Sequence, residues 1–210
     1  MQTTVLLIRH GVTDWHREGR LLGHRDIGLN ADGINQSHAA AKALRDLPIA
    51  EILTSPLVRA VQTAEIVAGQ FDLEVARDPR LTDLNPGMWE GKAWADIADS
   101  PEYKKFLADP LAESIPGGGD SLISAQTRAV RSVEQSLGDN PTGSCILVVS
   151  HAAPIRLLLA HYLGMHVASY HRLTVQPGSI SVLRFSGDRD LPRVLGVNLH
   201  EEVRPVLAPR

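Results

Sequence analysis

Short apolar runs that stop abruptly at polar residues punctuate this chain. Val5-Leu6-Leu7-Ile8 runs into Arg9-His10-Gly11, residues 49–53 run into Thr54-Ser55-Pro56, and residues 146–149 run into Ser150-His151. Unalternating apolar runs of this length predict strands covered on both faces, as in a parallel sheet between helices. Residues 180–185 alternate instead, which predicts a late strand nearer an edge, and 194–199 predict another. Helical periodicity fills the gaps. Asn30 is placed to cap a segment in which Ile34, Ala41 and Leu44 recur on one face. A second helix follows Pro56, with Leu57, Val61, Ala64, Ile66 and Val67 as its apolar positions. A third begins at Ser121 and passes Ile123, Ala129, Val130 and Val133 to Leu137, and a fourth opens near Pro154 and stops at Gly164.

Strand followed by helix, repeated, predicts an α/β three-layer sandwich. No repeat or long linker divides the chain, so residues 1–210 read as one domain. The least regular stretch, 92–120, carries Pro101, Pro110, Pro116 and Gly117-Gly118-Gly119, and it predicts a lid-like helical excursion over one end of the sheet. The tail 201–210, with Pro205 and Pro209, is expected to be loosely held.

Composition changes the picture in two places. The 210 residues carry a formal net charge of -3, so no overall basic field attracts nucleic acid or an anionic membrane, and an anionic ligand must be held by local charge. The one cysteine, Cys145, rules out an intramolecular disulfide and lies in an apolar run, where it reads as an inert buried thiol. Neither a targeting signal nor a run of roughly 18 apolar residues is legible, so the expected location is cytoplasmic, away from membranes.

The candidate chemistry converges on the strand ends, where ligands bind in open α/β sheets. Arg9 and His10 follow the first predicted strand. Ser55 follows the second, with Arg59 one helical turn on, and His151 follows the third. Together they predict a cationic pocket in a slightly acidic chain. A neutral histidine nitrogen is a good nucleophile, and a phosphohistidine splits one difficult hydrolysis into two easier steps. Arg9 and Arg59 offer planar, permanently charged donors to phosphate oxygens, and His151 can donate to another. Phosphoryl transfer needs mainly positioning and electrostatics, which this set supplies without a metal. Gly11 is expected to permit a tight turn where a side chain would block the substrate.

These residues resemble the signature of a known family. Residues 7–15, Leu-Ile-Arg-His-Gly-Val-Thr-Asp-Trp, are similar to the motif of the histidine phosphatase superfamily, in the branch that includes phosphoglycerate mutase. The resemblance continues through Gly23, 26–29 and Gly33, then 54–64, 87–91, 116–118 and 149–151, in family order. It implies a mixed, mostly parallel sheet between helices, with His10 phosphorylated, Arg9, Arg59 and His151 around the phosphate, and no cofactor or metal. It also implies a carboxylic acid shortly before residues 87–91. That position falls on Asp83, one methylene shorter than the usual Glu, with Glu90 as the alternative acid. His16 stands where the family commonly has Asn against the phosphoryl group.

Residues 83–87 and 151–154 lack the polar groups with which mutases of the family grip a carboxylate. A phosphatase acting on a small phosphorylated metabolite is therefore preferred to a cofactor-dependent phosphoglycerate mutase. The other alternative is a catalytically silent phosphate-binding protein. The histidines at 161, 166 and 171 lack zinc-site spacing. Specificity is expected to lie in 92–120 and around 22–25. There Tyr103, Lys104, Lys105 and Phe106 either touch substrate or form an ordinary amphipathic turn with its lysines in water. A monomer or a homodimer is expected.

Overall fold

The computed structural model describes residues 2–111, 114–186, 192–200 and 203–207. Its first strand, β1 (Gln2–Arg9), is apolar without alternation because both its faces are covered: Leu6 and Ile8 enter one hydrophobic core, Val5 and Leu7 the other. The remaining strands are β2 (Ile49–Thr54), β3 (Val75–Arg77), β4 (Cys145–Ser150), β5 (Ile180–Ser186) and β6 (Arg193–Leu199). They form one mixed sheet in the order β3-β2-β4-β1-β5-β6. The first four of that order run parallel, while β5 lies antiparallel to β1 and β6 antiparallel to β5. The three-residue β3 is too short to leave a pattern in the sequence.

The helices in chain order are α1 (Asp14–Arg17), α2 (Ala31–Ala43), α3 (Val58–Ala68), α4 (Trp94–Ala98), α5 (Pro101–Ala108), α6 (Leu122–Asp139), α7 (Ala152–Tyr162) and α8 (Arg204–Leu207). Ala40 and Ala43 of α2 and Ala60, Ala64 and Val67 of α3 cover one face of the sheet. Ala129, Val130 and Val133 of α6 and Ile155, Leu158 and Leu159 of α7 cover the other. The layers are those the strand–helix alternation predicts. Each fully buried Leu or Ile contributes about 1.5–3 kcal/mol, so these two cores dominate the stability.

Two local expectations need correction. The buried face of α2 is Gly33, Ser37, Ala40 and Ala43, whereas Ile34 is 42% exposed. Small residues win that face because α2 must approach the loop after β1 closely. A Cβ on Gly11 would stand 2.3 Å from the Gly33 carbonyl oxygen, and one on Gly33 would stand 2.2 Å from that of Val12. Gly11 is thus required by backbone packing against α2. In the tail, Val203 is fully buried in the first core and Arg204 pairs with Asp46 at 3.0 Å, so 203–207 are held, while 201–202 and 208–210 lie outside the described residues.

The excursion at 92–120 contains α4 and α5, with Ser100 capping α5 through the Tyr103 N–H at 3.2 Å and Pro101 in its first turn. Phe106 and Ile115 join Trp89, Leu122 and Leu157 in a third, smaller core beyond the sheet. No helix among the described residues is long and apolar enough to cross a membrane.

Candidate active site

Strand register explains why distant residues meet. Arg9 of β1 pairs with Ser150 of β4, and Thr54 of β2 pairs with Val149, so the three parallel strands end at the same level. The chain continues the ladder for one more step: the His10 N–H donates to the Ser150 carbonyl (3.0 Å) and the Ser55 N–H to the Val149 carbonyl (3.0 Å). His10, Ser55 and His151 therefore stand side by side, all three buried.

The His10 ring donates from Nδ1 to the Gly11 carbonyl at 2.7 Å, which leaves the Nε2 lone pair free. Burial foremost, then the charges of Arg59, Arg9 and His16, hold the His10 pKa well below that of ordinary imidazole. The ring is neutral, as a nucleophile must be. The His151 ring lies 5.0 Å from it, centroid to centroid. Ser55 Oγ accepts from the Leu57 N–H (3.3 Å), so its hydroxyl proton is free for His151 Nε2 at 2.8 Å. That assignment puts the ring's single N–H proton on Nδ1, 3.7 Å from Asp83 Oδ2. Burial, then Arg59 and the other nearby cations, also hold the His151 pKa well below the usual value, so the ring is a neutral donor and forms no ion pair with Asp83.

Arg59 is fully buried in the first turn of α3, held by the carbonyls of Arg25 (2.8 Å) and Gly23 (2.7 Å) and by Asp83 Oδ2 (3.2 Å). Arg9 donates from Nη1 to the Val175 carbonyl (2.8 Å) and from Nη2 to His16 Nε2. Burial lowers the Arg9 pKa to about 10, with Asp83 opposing and Arg156 and Arg59 adding to the fall, so Arg9 stays charged at neutral pH. His16 lines the pocket, but its Nε2 here accepts from Arg9 and does not offer a proton to the cavity. Its pKa is pushed down to about 3, by burial and then by Arg9 and Arg59. Four N–H groups, Arg9 Nε, Arg59 Nε, His151 Nδ1 and Arg156 Nε, are buried without an acceptor among the described residues. Each such donor costs about 1–3 kcal/mol unless something accepts from it.

The two candidate acids separate by position. Asp83 faces the cavity, 16% of its side chain exposed. Burial raises its pKa above the ordinary carboxylate value, against the opposing pull of Arg59, the Leu84 N–H and Arg9. Glu90 is absent from the cavity wall, and both its oxygens are engaged: Oε1 by the His24 N–H (2.8 Å) and Oε2 by Arg25 Nε (3.0 Å). It thereby fixes the loop whose carbonyls hold Arg59. The cavity itself encloses about 650 Å³ and runs from Arg9, His10 and Asp83 out under α4 and α5.

A sequence model of the histidine phosphatase superfamily, branch 1, matches residues 5–199. The chain belongs to that superfamily. It is 32% identical over 203 residues to phosphoglycerate mutase-like protein 4 of Arabidopsis thaliana, covering 94% of this chain and 86% of that one. Among solved structures it superposes on the phosphoserine phosphatase of Entamoeba histolytica, solved with phosphoserine, at TM-score 0.83 and 28% identity, covering 94% of this chain and 98% of that one. The alpha-ribazole phosphatase of Shigella flexneri gives TM-score 0.81 and 27% identity, with 95% and 98% covered. With phosphatases as structural neighbours over nearly its whole length, this histidine phosphatase is a phosphoric monoester hydrolase.

Some pocket residues left no readable signal in the sequence of this histidine phosphatase. Arg156 lines the cavity one helical turn beyond Ala152. Arg128 of α6 donates to the carbonyls of Arg80 (2.8 Å), Thr82 and Asp83 (2.8 Å) and to Asp120 Oδ2 (3.2 Å), clamping the loop that carries Asp83. In the excursion Tyr103 and Phe106 line the cavity, whereas Lys104 and Lys105 are exposed, as an amphipathic turn requires.

Proposed function

We propose that His10 Nε2 attacks the phosphorus of a small phosphomonoester, forming phosphohistidine as the bond from phosphorus to the alcohol oxygen breaks. Asp83 delivers its proton to the departing oxygen. Water then attacks the phosphohistidine, its proton passes to the Asp83 carboxylate, and inorganic phosphate leaves with His10 neutral again. Arg9, Arg59 and the Nδ1 proton of His151 hold the nonbridging oxygens and stabilise the charge they gain in the transition state. His16 positions Arg9, Ser55 orients His151, and Glu90 and Arg128 hold the loops behind Arg59 and Asp83.

The observation that carries this reading is the set of buried donors without acceptors on the very residues that surround an unprotonated His10. A phosphoryl group supplies acceptors for all of them. Hydrolysis is favoured over mutase chemistry because Leu84, Pro86, Ala152 and Ala153 line the cavity where a phosphoglycerate carboxylate would need donors.

The test is phosphate release in EDTA from a panel including p-nitrophenyl phosphate, phosphoserine, α-ribazole phosphate and 3-phosphoglycerate. The His10→Ala protein is run alongside, and the quenched enzyme is examined for an acid-labile phosphoryl group. Release that survives EDTA and vanishes with His10 is expected. Undiminished release by His10→Ala would overturn the assignment, and isomerised phosphoglycerate without release would make the enzyme a mutase.

A further inference from the structure

The phosphate end occupies only one corner of the cavity, and the rest has a chemistry of its own. Its outer wall is built from Trp94, Tyr103, Phe106, Leu107, Ile115 and Leu122. Leu21 and Leu22 add further apolar surface. A cavity of about 650 Å³ is far larger than a phosphorylated three-carbon acid needs and lies in the range that encloses ring-bearing ligands.

The aromatic side chains of the wall pack on one another. Trp89 meets Tyr103 edge to face at 5.5 Å and Phe106 at 5.7 Å, and Trp94 meets Tyr103 at 5.1 Å with the rings 81° apart. The backbone N–H of Trp94 donates to the Gly19 carbonyl at 2.8 Å, tying α4 to residues 19–20 of the wall. Trp89 and Phe106 are explained by the third core. Trp94 and Leu107 are not: they are 47% and 49% exposed, large apolar side chains lining a cavity they do not fill. Contiguous apolar surface of that kind gains most from a ligand that removes it from water.

The polar side chains on this wall are fewer than the apolar ones: besides Arg20 and Arg156 they are Tyr103, Tyr170 and His171. Arg20 is committed to the Gly91 carbonyl (2.8 Å), to Glu18 (3.2 Å) and to the face of Trp15, 4.2 Å away. Arg156 belongs to the phosphate end, near enough to Arg9 to lower its pKa.

We propose that the ester bound here is that of a bulky, largely apolar aromatic alcohol, with Trp94, Tyr103 and Leu107 as the subsite for its ring. This rests on the reading of the phosphate end given above and goes further in naming the leaving group. A small hydroxy acid would leave most of this wall wet and gain nothing from it.

The test compares naphthylethyl phosphate with ethyl phosphate, whose leaving oxygens are alike, beside phosphoserine and 3-phosphoglycerate. Wild-type protein is expected to favour the naphthylethyl ester in kcat/KM by at least about a hundredfold. Trp94→Ala and Leu107→Ala should each shrink that ratio at least about fivefold. Both side chains are about half exposed, so the variants are expected to fold, which circular dichroism checks. A ratio near one, a ratio unchanged in both variants, or phosphoserine as the best ester with selective loss in Arg156→Gln would each overturn the proposal. If no ester is hydrolysed, the chemistry at His10 has failed instead. Binding to the wild-type protein then decides the subsite: tighter naphthylethyl phosphate supports it, and equal affinity overturns it.

Discussion

Replacing Asp83 by Asn removes a proton donor while keeping the side chain's size and its contact with Arg59, which is 3.2 Å from Oδ2. The effect should depend on the leaving group. An alkoxide needs a proton as it departs, whereas p-nitrophenolate does not, so an alkyl phosphate should lose about 10²–10⁴-fold in kcat, the usual worth of a positioned acid. That loss corresponds to about 2.7–5.5 kcal/mol of transition-state stabilisation. p-Nitrophenyl phosphate should lose only a few-fold. Binding should move the other way. Above its raised pKa Asp83 is a negative charge beside Arg59 and Arg9, and deleting it there leaves those cations uncompensated, so at such pH inorganic phosphate should inhibit up to about tenfold more tightly.

The pH profile supplies a second readout. His10 acts unprotonated and its pKa is depressed, so the acid limb lies below the ordinary imidazole range. Asp83 acts protonated and its pKa is raised, so the alkaline limb lies above the ordinary carboxylate range and disappears in Asp83→Asn. The assay is steady-state kcat and KM on both esters across pH, with phosphate inhibition. Equal losses on the two esters, or an alkaline limb retained in Asp83→Asn and lost in Glu90→Gln, would refute the assignment.

Three further expectations follow from contacts around the site. Arg128→Met should loosen the loop holding Asp83: kcat on alkyl esters should fall about tenfold with KM little changed, since about 1 Å of misplacement suffices. Thermal scanning should show the lost charged hydrogen bonds as roughly 2–3 kcal/mol of stability; an unchanged kcat would remove the positioning role. His10, His16 and His151 are all neutral in the fold with depressed pKa values, while the unfolded chain binds protons near pH 6.5. Their contribution is complete above that pH and is lost as pH falls, by up to about 1.4 kcal/mol per unit for each, with the raised Asp83 opposing as a single group. Tm should therefore drop between pH 7 and 5, and a flat curve would contradict the burial of these rings. Gly11→Ala drives a Cβ to 2.3 Å from the Gly33 carbonyl, so urea unfolding should register a loss of about 1–3 kcal/mol; wild-type stability would show that α2 can give way.

Local sequence was enough to place the elements that position the phosphate end. Runs such as Val5–Ile8 and Cys145–Val149 are legible because a strand covered on both faces leaves no polar residue to break the pattern. Asn30 and Ser121 cap α2 and α6 with their own side chains, and capping is a matter of three or four neighbouring residues. The convergence of His10, Arg59 and His151 follows from parallel strands ending in register, which the βα alternation already implies. The buried face of α2 was not legible, since it is set by the loop at Gly11 across from it and hydrophobicity points to Ile34 instead. Which of Asp83 and Glu90 faces the cavity depended on which carboxylate the loop at 23–25 consumes, a contact between segments about 65 residues apart. Arg128 and Arg156 carry no local mark because an arginine on a helix is ordinary until something far along the chain places carbonyls or an anion site before it. The sequence by itself picked out His10 and the strand that carries it; tertiary packing alone decided the protonation of that ring, its supporting hydrogen bonds and the aromatic wall, because desolvation and through-space contact have no signature in local order.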